Sequence, residues 1–150
     1  MGKSMIILKE INRDNFDDVI KLSIYDKQKH FVASNMYSLA QAKAMPECVP
    51  MAVYNDDDLV GFIMHCVDVD DNEYWISRIM IDKKKQGKGY GLAAMQCVLN
   101  ELQTHKKYHR VYISFEPENI VAKKLYEHLG FVPDGRFIDG EIVYCLEFCK

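Results

Sequence analysis

The alternation of apolar and polar positions divides this chain into short strands and amphipathic helices. It predicts a strand at residues 6–9 and then a helix, capped by Asn12 or Asp14, that runs to about residue 22. The run Ser38-Leu39-Ala40-Gln41 fits a capping box and predicts the start of another short helix. The first third of the chain is therefore expected to contain one strand followed by two helices.

The rest of the chain is predicted to form a three-strand meander, followed by alternating helices and strands. Asp139-Gly140 is a strong hairpin turn, and Gly130 has the position of a residue that closes a helix. The predicted strands are 51–54, 59–67, 73–81, 110–115, 131–138 and 141–148, and the predicted helices are 91–103 and 119–129. The order β-α-α-β-β-β-α-β-α-β-β indicates a single α+β domain over residues 1–150, built around a mixed sheet.

Composition excludes several classes of protein. Apolar content of 49% and charged content of 27% are ordinary for a soluble domain, and no apolar run is long enough to span a membrane. A net charge of −3 argues against a nucleic-acid partner. With no signal peptide recognised at the start of the chain, we expect a cytoplasmic protein with neither membrane nor nucleic acid as a partner.

Cysteine and histidine spacing gives no metal site. The five cysteines are odd in number and form no CxxC pair, so we expect reduced, mostly buried thiols. His105 and His109 have a zinc-like H-x3-H spacing, but no cysteine pair lies upstream to complete it. A solvated helix end is the better interpretation, and no metal is predicted.

A basic, glycine-rich turn between a strand and a helix carries the chemistry. Ile81-Asp82-Lys83-Lys84-Lys85-Gln86-Gly87-Lys88-Gly89-Tyr90-Gly91-Leu92 runs from an apolar strand into an amphipathic helix. Glycines let the backbone approach a ligand closely, and the free N–H groups at a helix start favour an anion. The turn is therefore predicted to bind a pyrophosphate-sized group.

Other interpretations of this turn are less favourable. Gly89-Tyr90-Gly91-Leu92-Ala93-Ala94 fits GxGxx[GA], yet a dinucleotide fold needs repeated βα units, and only a strand, a helix and a hairpin follow. No GxxxxGK[ST] string exists for a P-loop. A plain surface turn does not explain so many glycines and lysines at a helix start.

Two motifs resemble GNAT-type N-acetyltransferases. Gln86-Gly87-Lys88-Gly89-Tyr90-Gly91 resembles the Q/R-x-x-G-x-G/A motif that cradles the pyrophosphate of acetyl-CoA. The segment from Glu118 to Phe131 resembles that family's N-x-x-A-x-x-L-Y-E-x-x-G-F. The resemblance covers essentially the whole chain and is strongest to bacterial spermine/spermidine N-acetyltransferases. It implies a mainly antiparallel sheet flanked by helices.

The resemblance also implies roles for individual residues. Tyr126 would be the general acid toward the CoA sulfur, although a core tyrosine is the alternative interpretation of this residue. Asn119 would bind the pantetheine arm or cap the helix. The acetyl-CoA contacts it implies are Ile79, Met80 and Ile81 of the fourth strand, together with Gln86, Gly87, Lys88, Gly89, Tyr90, Gly91 and Leu92.

The general base is not identified. Where many relatives place a carboxylate, the two central strands here offer Ser77 and Ser114. Glu73 and Glu116 are the nearest carboxylates and are predicted as substrate contacts. Arg78, a lone cation in an apolar strand, is expected to form a buried salt bridge.

The function implied is acetyl transfer from acetyl-CoA to a primary amine of a small polycation such as spermine or spermidine, by direct attack in a ternary complex. A solvated turn is the favoured interpretation of Asp56–Asp58, but an acidic rim formed by this run and the one around Asp68–Glu73 would suit a cationic acceptor. A protein amine or an aminoglycoside as the acceptor, or a catalytically silent CoA sensor, stays open. By analogy with the family, a homodimer is expected.

Overall fold

The computed structural model describes residues 5–148 and contains the predicted order of elements. The strands are β1 Ile6–Glu10, β2 Cys48–Asn55, β3 Asp58–Val67, β4 Tyr74–Ile81, β5 Arg110–Phe115, β6 Val132–Ile138 and β7 Glu141–Glu147. The helices are α1 Phe16–Lys21, α2 Asn35–Ala44, α3 Tyr90–His105 and α4 Ile120–His128. Two single 3-10 turns, Asp26–Gln28 and Lys83–Lys85, lie in the loops before α2 and α3.

One seven-stranded sheet has the order β1-β2-β3-β4-β5-β7-β6. Strands β4 and β5 are parallel, and every other neighbouring pair is antiparallel. The Asp139-Gly140 hairpin joins β6 to β7 as predicted, with positive φ at both residues. The α+β class and the mixed, mainly antiparallel sheet expected from the sequence are therefore confirmed.

The sheet splits between its two parallel strands. Only Tyr74 with Val111 and Trp75 with Tyr112 pair between β4 and β5, and both pairs lie at the start of the strands. On the other side of β4, Ser77 is an extra residue between the pairs that β3 makes with Ile76 and Arg78. Such a bulge bends a strand and increases its twist. Beyond it the two strands diverge, which leaves a wedge-shaped gap in the sheet.

Helices cover both faces of the sheet. Helix α3 buries Met95, Val98, Leu99 and Leu102, and α4 adds Tyr126 to the same core. The opposite face carries a smaller core around Val19 of α1, together with Phe62 and Met64 of β3. The gap between β4 and β5 therefore connects two faces that are each closed elsewhere by packed side chains.

Two helix starts differ from the prediction. Helix α2 begins at Asn35, because the Ser34 hydroxyl accepts a hydrogen bond from the Tyr37 N–H (3.1 Å), and Ser38 lies inside the helix. The capping-box prediction at Ser38 was therefore four residues late. Helix α1 begins at Phe16, and Asn12 caps the turn before it by accepting from Asp14 N (2.8 Å) rather than capping the helix itself.

Four cysteines are free thiols, and the fifth, Cys149, lies outside the described residues. Cys48 and Cys145 are buried, whereas Cys66 and Cys97 are half-buried. Within residues 5–148, no helix combines the length and the apolar character needed to cross a membrane.

Candidate functional site

A cavity of about 350 Å³ occupies the gap between β4 and β5, and we call it the first cavity. Its walls come from both splayed strands, the glycine-rich turn, α4 and the loop between α1 and α2. The residues that line it include Ile76–Ile81, Gln86, Gly87, Gly89–Leu92, Ile113–Phe115, Asn119 and Tyr126. Of the predicted acetyl-CoA contacts, Lys88 alone lies outside this lining. The structure thus brings the other ten together with Tyr126.

The glycine-rich turn has the backbone of an anion cradle. Gly87 and Gly89 have φ of +80° and +83°, and an added Cβ at either position would meet no atom within 4 Å. Open space combined with a left-handed backbone is expected where a ligand, rather than protein, fills the space beside a glycine. Within residues 5–148, the N–H groups of Gly89, Tyr90, Gly91 and Leu92 donate no hydrogen bond. They form the free N-terminal donors of α3, a helix of 16 residues.

Gln86 ties this turn to the neighbouring elements. Its amide donates to the Ile81 carbonyl (2.9 Å) and to the Gln28 side chain (3.0 Å), which donates back (3.2 Å). Asp82 accepts from the Ser23 N–H (2.9 Å) in the loop between α1 and α2. The turn, the end of β4 and that loop are therefore held as one unit, which fixes the opening of the first cavity.

The charges around the first cavity suit an anion. Arg78 and Lys85 line it, and among the described residues no carboxylate does. Lys85 is held by Asp58 (2.7 Å), which also raises the pKa of the lysine. Lys88 is exposed and does not line the cavity. A group with several negative charges at the mouth would meet Lys85 and the free N–H groups together.

Tyr126 of α4 lines the first cavity. Its ring packs against Phe115 (centroids 5.3 Å apart) and Phe131 (6.0 Å), and the residue is 5% exposed. No partner among residues 5–148 bonds its hydroxyl, which leaves the oxygen open to the cavity. Burial, and to a lesser extent the negative charge of Glu141, raise the pKa of Tyr126 above its usual range. The side chain therefore keeps its proton at neutral pH and is placed to donate it.

Asn119 is the N-cap of α4. Its side-chain oxygen accepts from the Ala122 N–H (3.3 Å), and its residue also lines the first cavity. The cap fixes the start of α4, and Gly130, with φ of +99°, allows the chain to leave the helix two residues after its end. Tyr126 is thus presented from a short helix that is anchored at both ends.

A second cavity of about 740 Å³ meets the first one at the gap in the sheet. The two share Phe31, Val32, Ile76, Ser77, Arg78 and Ser114. Four carboxylates line the second cavity, Glu47, Asp68, Asp70 and Glu141, against the cations Lys29 and Arg78. The first cavity therefore suits an anion and the second a cation, and they meet beside the two serines.

The two serines have different partners. Ser114 of β5 bonds the Glu141 carboxylate (Oγ–Oε1 2.7 Å), and Ser77 of β4 contacts the Cys66 thiol (3.0 Å). Sequence reasoning missed Glu141, because it looked for a carboxylate on the central strands, whereas Glu141 begins β7. The hairpin turn before Glu141 and the β7 pattern were available from the sequence, but the pairing of β7 with β5 was not.

Arg78 does not form the buried salt bridge that the sequence predicts. Its guanidinium donates to the Gln41 side chain (3.1 Å) and to the Ser77 carbonyl (2.9 Å). Its Nε is buried without a partner, and among the described residues no carboxylate lies within salt-bridge distance. The predicted buried salt bridge is therefore wrong. Arg78 lines both cavities, and no carboxylate in the described part of the chain pairs with it.

The two glutamates predicted as substrate contacts lie outside both cavities. Glu73 precedes the paired end of β4, about 13 Å along the strand from Ser77, and its charge acts on Arg110. Glu116 follows β5 and lies 3.6 Å from His30, which lines the second cavity. Glu116 is thus one residue removed from the acidic cavity, whereas the structure does not bring Glu73 to the site.

One group of residues has the spacing of a metal site. Ligand atoms of His30, Glu116 and Glu118 lie within 4.8 Å of one another. His30 and Glu118 are exposed and Glu116 is half-buried. Exposed acidic groups are often this close without a metal, so we assign no metal to the group.

Comparison with known proteins gives a family match over most of the chain. A model of the acetyltransferase (GNAT) family matches residues 9–131. A probable spermine N(1)-acetyltransferase of Bacillus subtilis subsp. natto (strain BEST195) is 31% identical, and the match covers 95% of this chain and 98% of the relative. A spermine/spermidine N(1)-acetyltransferase of Bacillus subtilis (strain 168) is 30% identical with the same coverage.

A solved structure shows the same fold. The spermidine N-acetyltransferase from Vibrio cholerae in complex with CoA and spermine superimposes with a TM-score of 0.75 at 19% identity. The superposition covers 95% of each chain. At this identity the likeness concerns the fold alone.

Proposed function

Because this chain belongs to the acetyltransferase (GNAT) family and is an acetyl-transferring enzyme, we propose that it moves the acetyl group of acetyl-CoA to a primary amine of spermine or spermidine. The observation that carries the proposal is the meeting of an anion-binding and an acidic cavity at the gap between β4 and β5. Relatives of about 30% identity that are named spermine and spermidine acetyltransferases support the same acceptor.

Acetyl-CoA fits the first cavity on chemical grounds. The glycine-rich turn and the free N–H groups of α3 suit its pyrophosphate. The unpaired edge of β4, from Ile79 to Ile81, offers backbone partners to the amides of the pantetheine arm. This arrangement would direct the thioester inward, toward Tyr126 and the two serines.

A polyamine fits the second cavity. The four carboxylates of the second cavity can neutralise the distal ammonium groups of the polyamine. Its attacking nitrogen then reaches the shared region beside Ser77 and Ser114. Both substrates would then be bound at once, and the amine would attack the thioester directly. Proximity of the two bound groups lowers the barrier without a covalent enzyme intermediate.

Tyr126 is proposed as the general acid. When the carbon–sulfur bond breaks, the CoA thiolate needs a proton or a donor. The Tyr126 hydroxyl has no protein partner among the described residues and opens into the first cavity, so its proton is available to the sulfur.

A second class of acceptor is favoured by one observation. Arg78 lines both cavities and has no carboxylate partner among residues 5–148, so it could hold the carboxylate of an amino acid or peptide. An acceptor that carries both an amine and a carboxylate would use Arg78 together with the acidic wall. Turnover of such an acceptor would place this chain among enzymes that act on protein amines rather than on polyamines.

An amine panel separates the two acceptors. CoA release from acetyl-CoA is measured with spermine, spermidine, putrescine, an aminoglycoside and a lysine peptide. Saturable turnover with spermine and spermidine alone supports the polyamine proposal. Turnover with the lysine peptide alone, abolished by Arg78→Gln, would replace it. Tight binding of acetyl-CoA with no turnover on any amine would contradict both and support a CoA sensor.

We also propose that the protein forms a homodimer. Strand β6 forms one edge of the sheet and exposes Val132 (59%), Phe137 (65%) and Ile138 (43%). A second copy of the chain would cover these exposed apolar side chains. Light scattering during gel filtration measures the mass in solution. The cytoplasmic location and the lack of a nucleic-acid partner stay predictions from the sequence.

A further inference from the structure

Ser114 and Glu141 form a linked pair at the place where the two cavities meet. Ser114 lies opposite Val143 in the β5–β7 ladder, so Glu141, two residues before Val143, is its diagonal neighbour on the same sheet face. Diagonal neighbours lie within reach of a long side chain, and the Glu141 carboxylate bonds the Ser114 hydroxyl at 2.7 Å. Ser114 lines both cavities, and Glu141 lines only the second.

We propose that Ser114 and Glu141 remove the proton from the attacking ammonium group, with Ser114 as the residue that touches the amine. A carboxylate can only accept a hydrogen bond, so the Ser114 hydroxyl must donate to Glu141. The lone pairs of Ser114 then stay free to accept an N–H from a ligand in the shared region. This inference rests on the proposed function and supplies the base that the central strands lack.

The proton balance of this step is complete. One ammonium N–H bond breaks and its proton goes to Ser114 Oγ, while the original Ser114 proton moves to Glu141 Oε1. The neutral nitrogen attacks the acetyl carbon, so a C–N bond forms and the C–S bond breaks. Tyr126 protonates the sulfur, and the second proton lost by the nitrogen restores Tyr126. Glu141 returns its proton to solvent through the second cavity, so one proton is released in each turnover.

No other described carboxylate has this position. Glu47, Asp68 and Asp70 line the second cavity but make no hydrogen bond to a residue of the shared region. Ser77, on the opposite wall, contacts a thiol, which is a weaker proton acceptor at neutral pH than a carboxylate. The charged and titratable groups that face Glu141 or share its cavity are Tyr126, Arg78, Lys29, His30, Cys48, Cys66, Glu47, Asp68 and Asp70.

The test compares Glu141→Gln and Ser114→Ala with the wild type, using acetyl-CoA and spermidine across pH 6.5–10. Each variant is expected to lose about 100-fold in kcat at pH 7.5, within the usual range for general-base catalysis. The double variant is expected to lose no more than either single one, because the two residues act as one unit. Without the pair, turnover depends on amine that is already neutral, so the deficit should shrink as the pH rises toward the pKa of the amine. A purely structural defect would not follow that pH course.

Glu147→Gln is the matched control, since Glu147 lies on the same strand and is exposed outside both cavities. It should leave kcat unchanged. Acetyl-CoA affinity and the thermal midpoint report folding, and Ser114→Ala keeps the test intact if Glu141→Gln does not fold. A variant that raises only the KM for spermidine, or a deficit that is constant with pH, would overturn the proposal while leaving the proposed function in place. A wild type that acetylates no amine would overturn both.

Discussion

At the scale of single residues, Tyr126 shows how the fold sets the chemistry of one side chain. The sequence left two interpretations open, a core tyrosine and a general acid, and the structure combines both features. The ring belongs to the core, and the hydroxyl opens into the first cavity without a partner among residues 5–148. Because the hydroxyl opens into the cavity, a ligand there can accept its hydrogen bond without displacing a partner among the described residues, which is consistent with a catalytic role.

Replacing Tyr126 with Phe tests that role. Because only the proton donor is lost, we expect kcat to fall about 100-fold while the dissociation constant for acetyl-CoA changes less than about twofold. Tyr144→Phe is the control, since the Tyr144 hydroxyl bonds Glu127 (3.0 Å) outside both cavities and its loss should leave kcat unchanged. A Tyr126→Phe enzyme with normal turnover and weakened acetyl-CoA binding would show that Tyr126 only packs against the ligand.

The raised pKa of Tyr126 also predicts how stability depends on pH. In the unfolded chain a tyrosine loses its proton near pH 10, whereas burial keeps the folded one protonated to higher pH. Above about pH 10 the folded state therefore binds more protons, and the free energy of unfolding should fall by up to about 1.4 kcal/mol per pH unit from this group. The contribution is fully present below pH 10 and is lost as the pH rises toward the folded-state pKa.

Urea unfolding of wild type and Tyr126→Phe at pH 9, 10 and 11 measures this effect. The wild type should lose stability more steeply above pH 10 than the variant, with the difference absent at pH 9. Parallel curves for the two proteins would show that the phenol is not desolvated in the folded state.

At the scale of elements, the glycine-rich turn was predicted from sequence because its chemistry is local. Glycine, lysine and a helix start within a dozen residues specify a backbone cradle without any long-range contact. The Ser114–Glu141 pair was not predicted, because it depends on which strands become neighbours and in what register. Helix α2 was misplaced for a related reason, since both Ser34 and Ser38 are good caps and packing selected the earlier one.

Substitution of Gly89 tests the turn. With φ of +83° and open space around an added Cβ, Gly89→Ala should cost about 1 kcal/mol of stability from backbone strain. It should also weaken acetyl-CoA binding about tenfold, because the strained backbone moves the N–H groups at the start of α3.

Gly135→Ala is the matched control for Gly89→Ala, with φ of +94°, equally open space and a position on β6 away from the first cavity. It should lose a similar amount of stability and keep its acetyl-CoA affinity when measured by calorimetry. Equal weakening in both variants would mean that the turn affects binding only through overall stability.

At the scale of the whole molecule, the split sheet gives the two substrates separate approaches. The predicted element order already implied the fold class. Hairpins join the strands on either side of the β4–α3–β5 unit, so β4 and β5 are the one parallel pair in an otherwise antiparallel sheet. The length of the gap could not be predicted, because it depends on the Ser77 bulge and on only two residue pairs between β4 and β5. That gap joins the first cavity to the second.

Ligand linkage provides a check at the same scale. If acetyl-CoA binds only the folded chain, 100 times its dissociation constant should raise the free energy of unfolding by about 2.7 kcal/mol. A shift of the thermal midpoint with acetyl-CoA that is about half as large in Gly89→Ala at the same concentration, as a tenfold weaker affinity requires, would place the ligand at the turn. No shift in the wild type would exclude the first cavity as its site.

The most direct test of direct transfer between the two cavities is the initial velocity of CoA release with acetyl-CoA and spermidine varied together. Attack within a ternary complex predicts saturation by both substrates and double-reciprocal lines that intersect. Parallel lines would require an acetyl-enzyme intermediate and would contradict direct attack at the junction of the cavities. Absence of turnover with spermidine, despite acetyl-CoA binding, would contradict the polyamine acceptor itself.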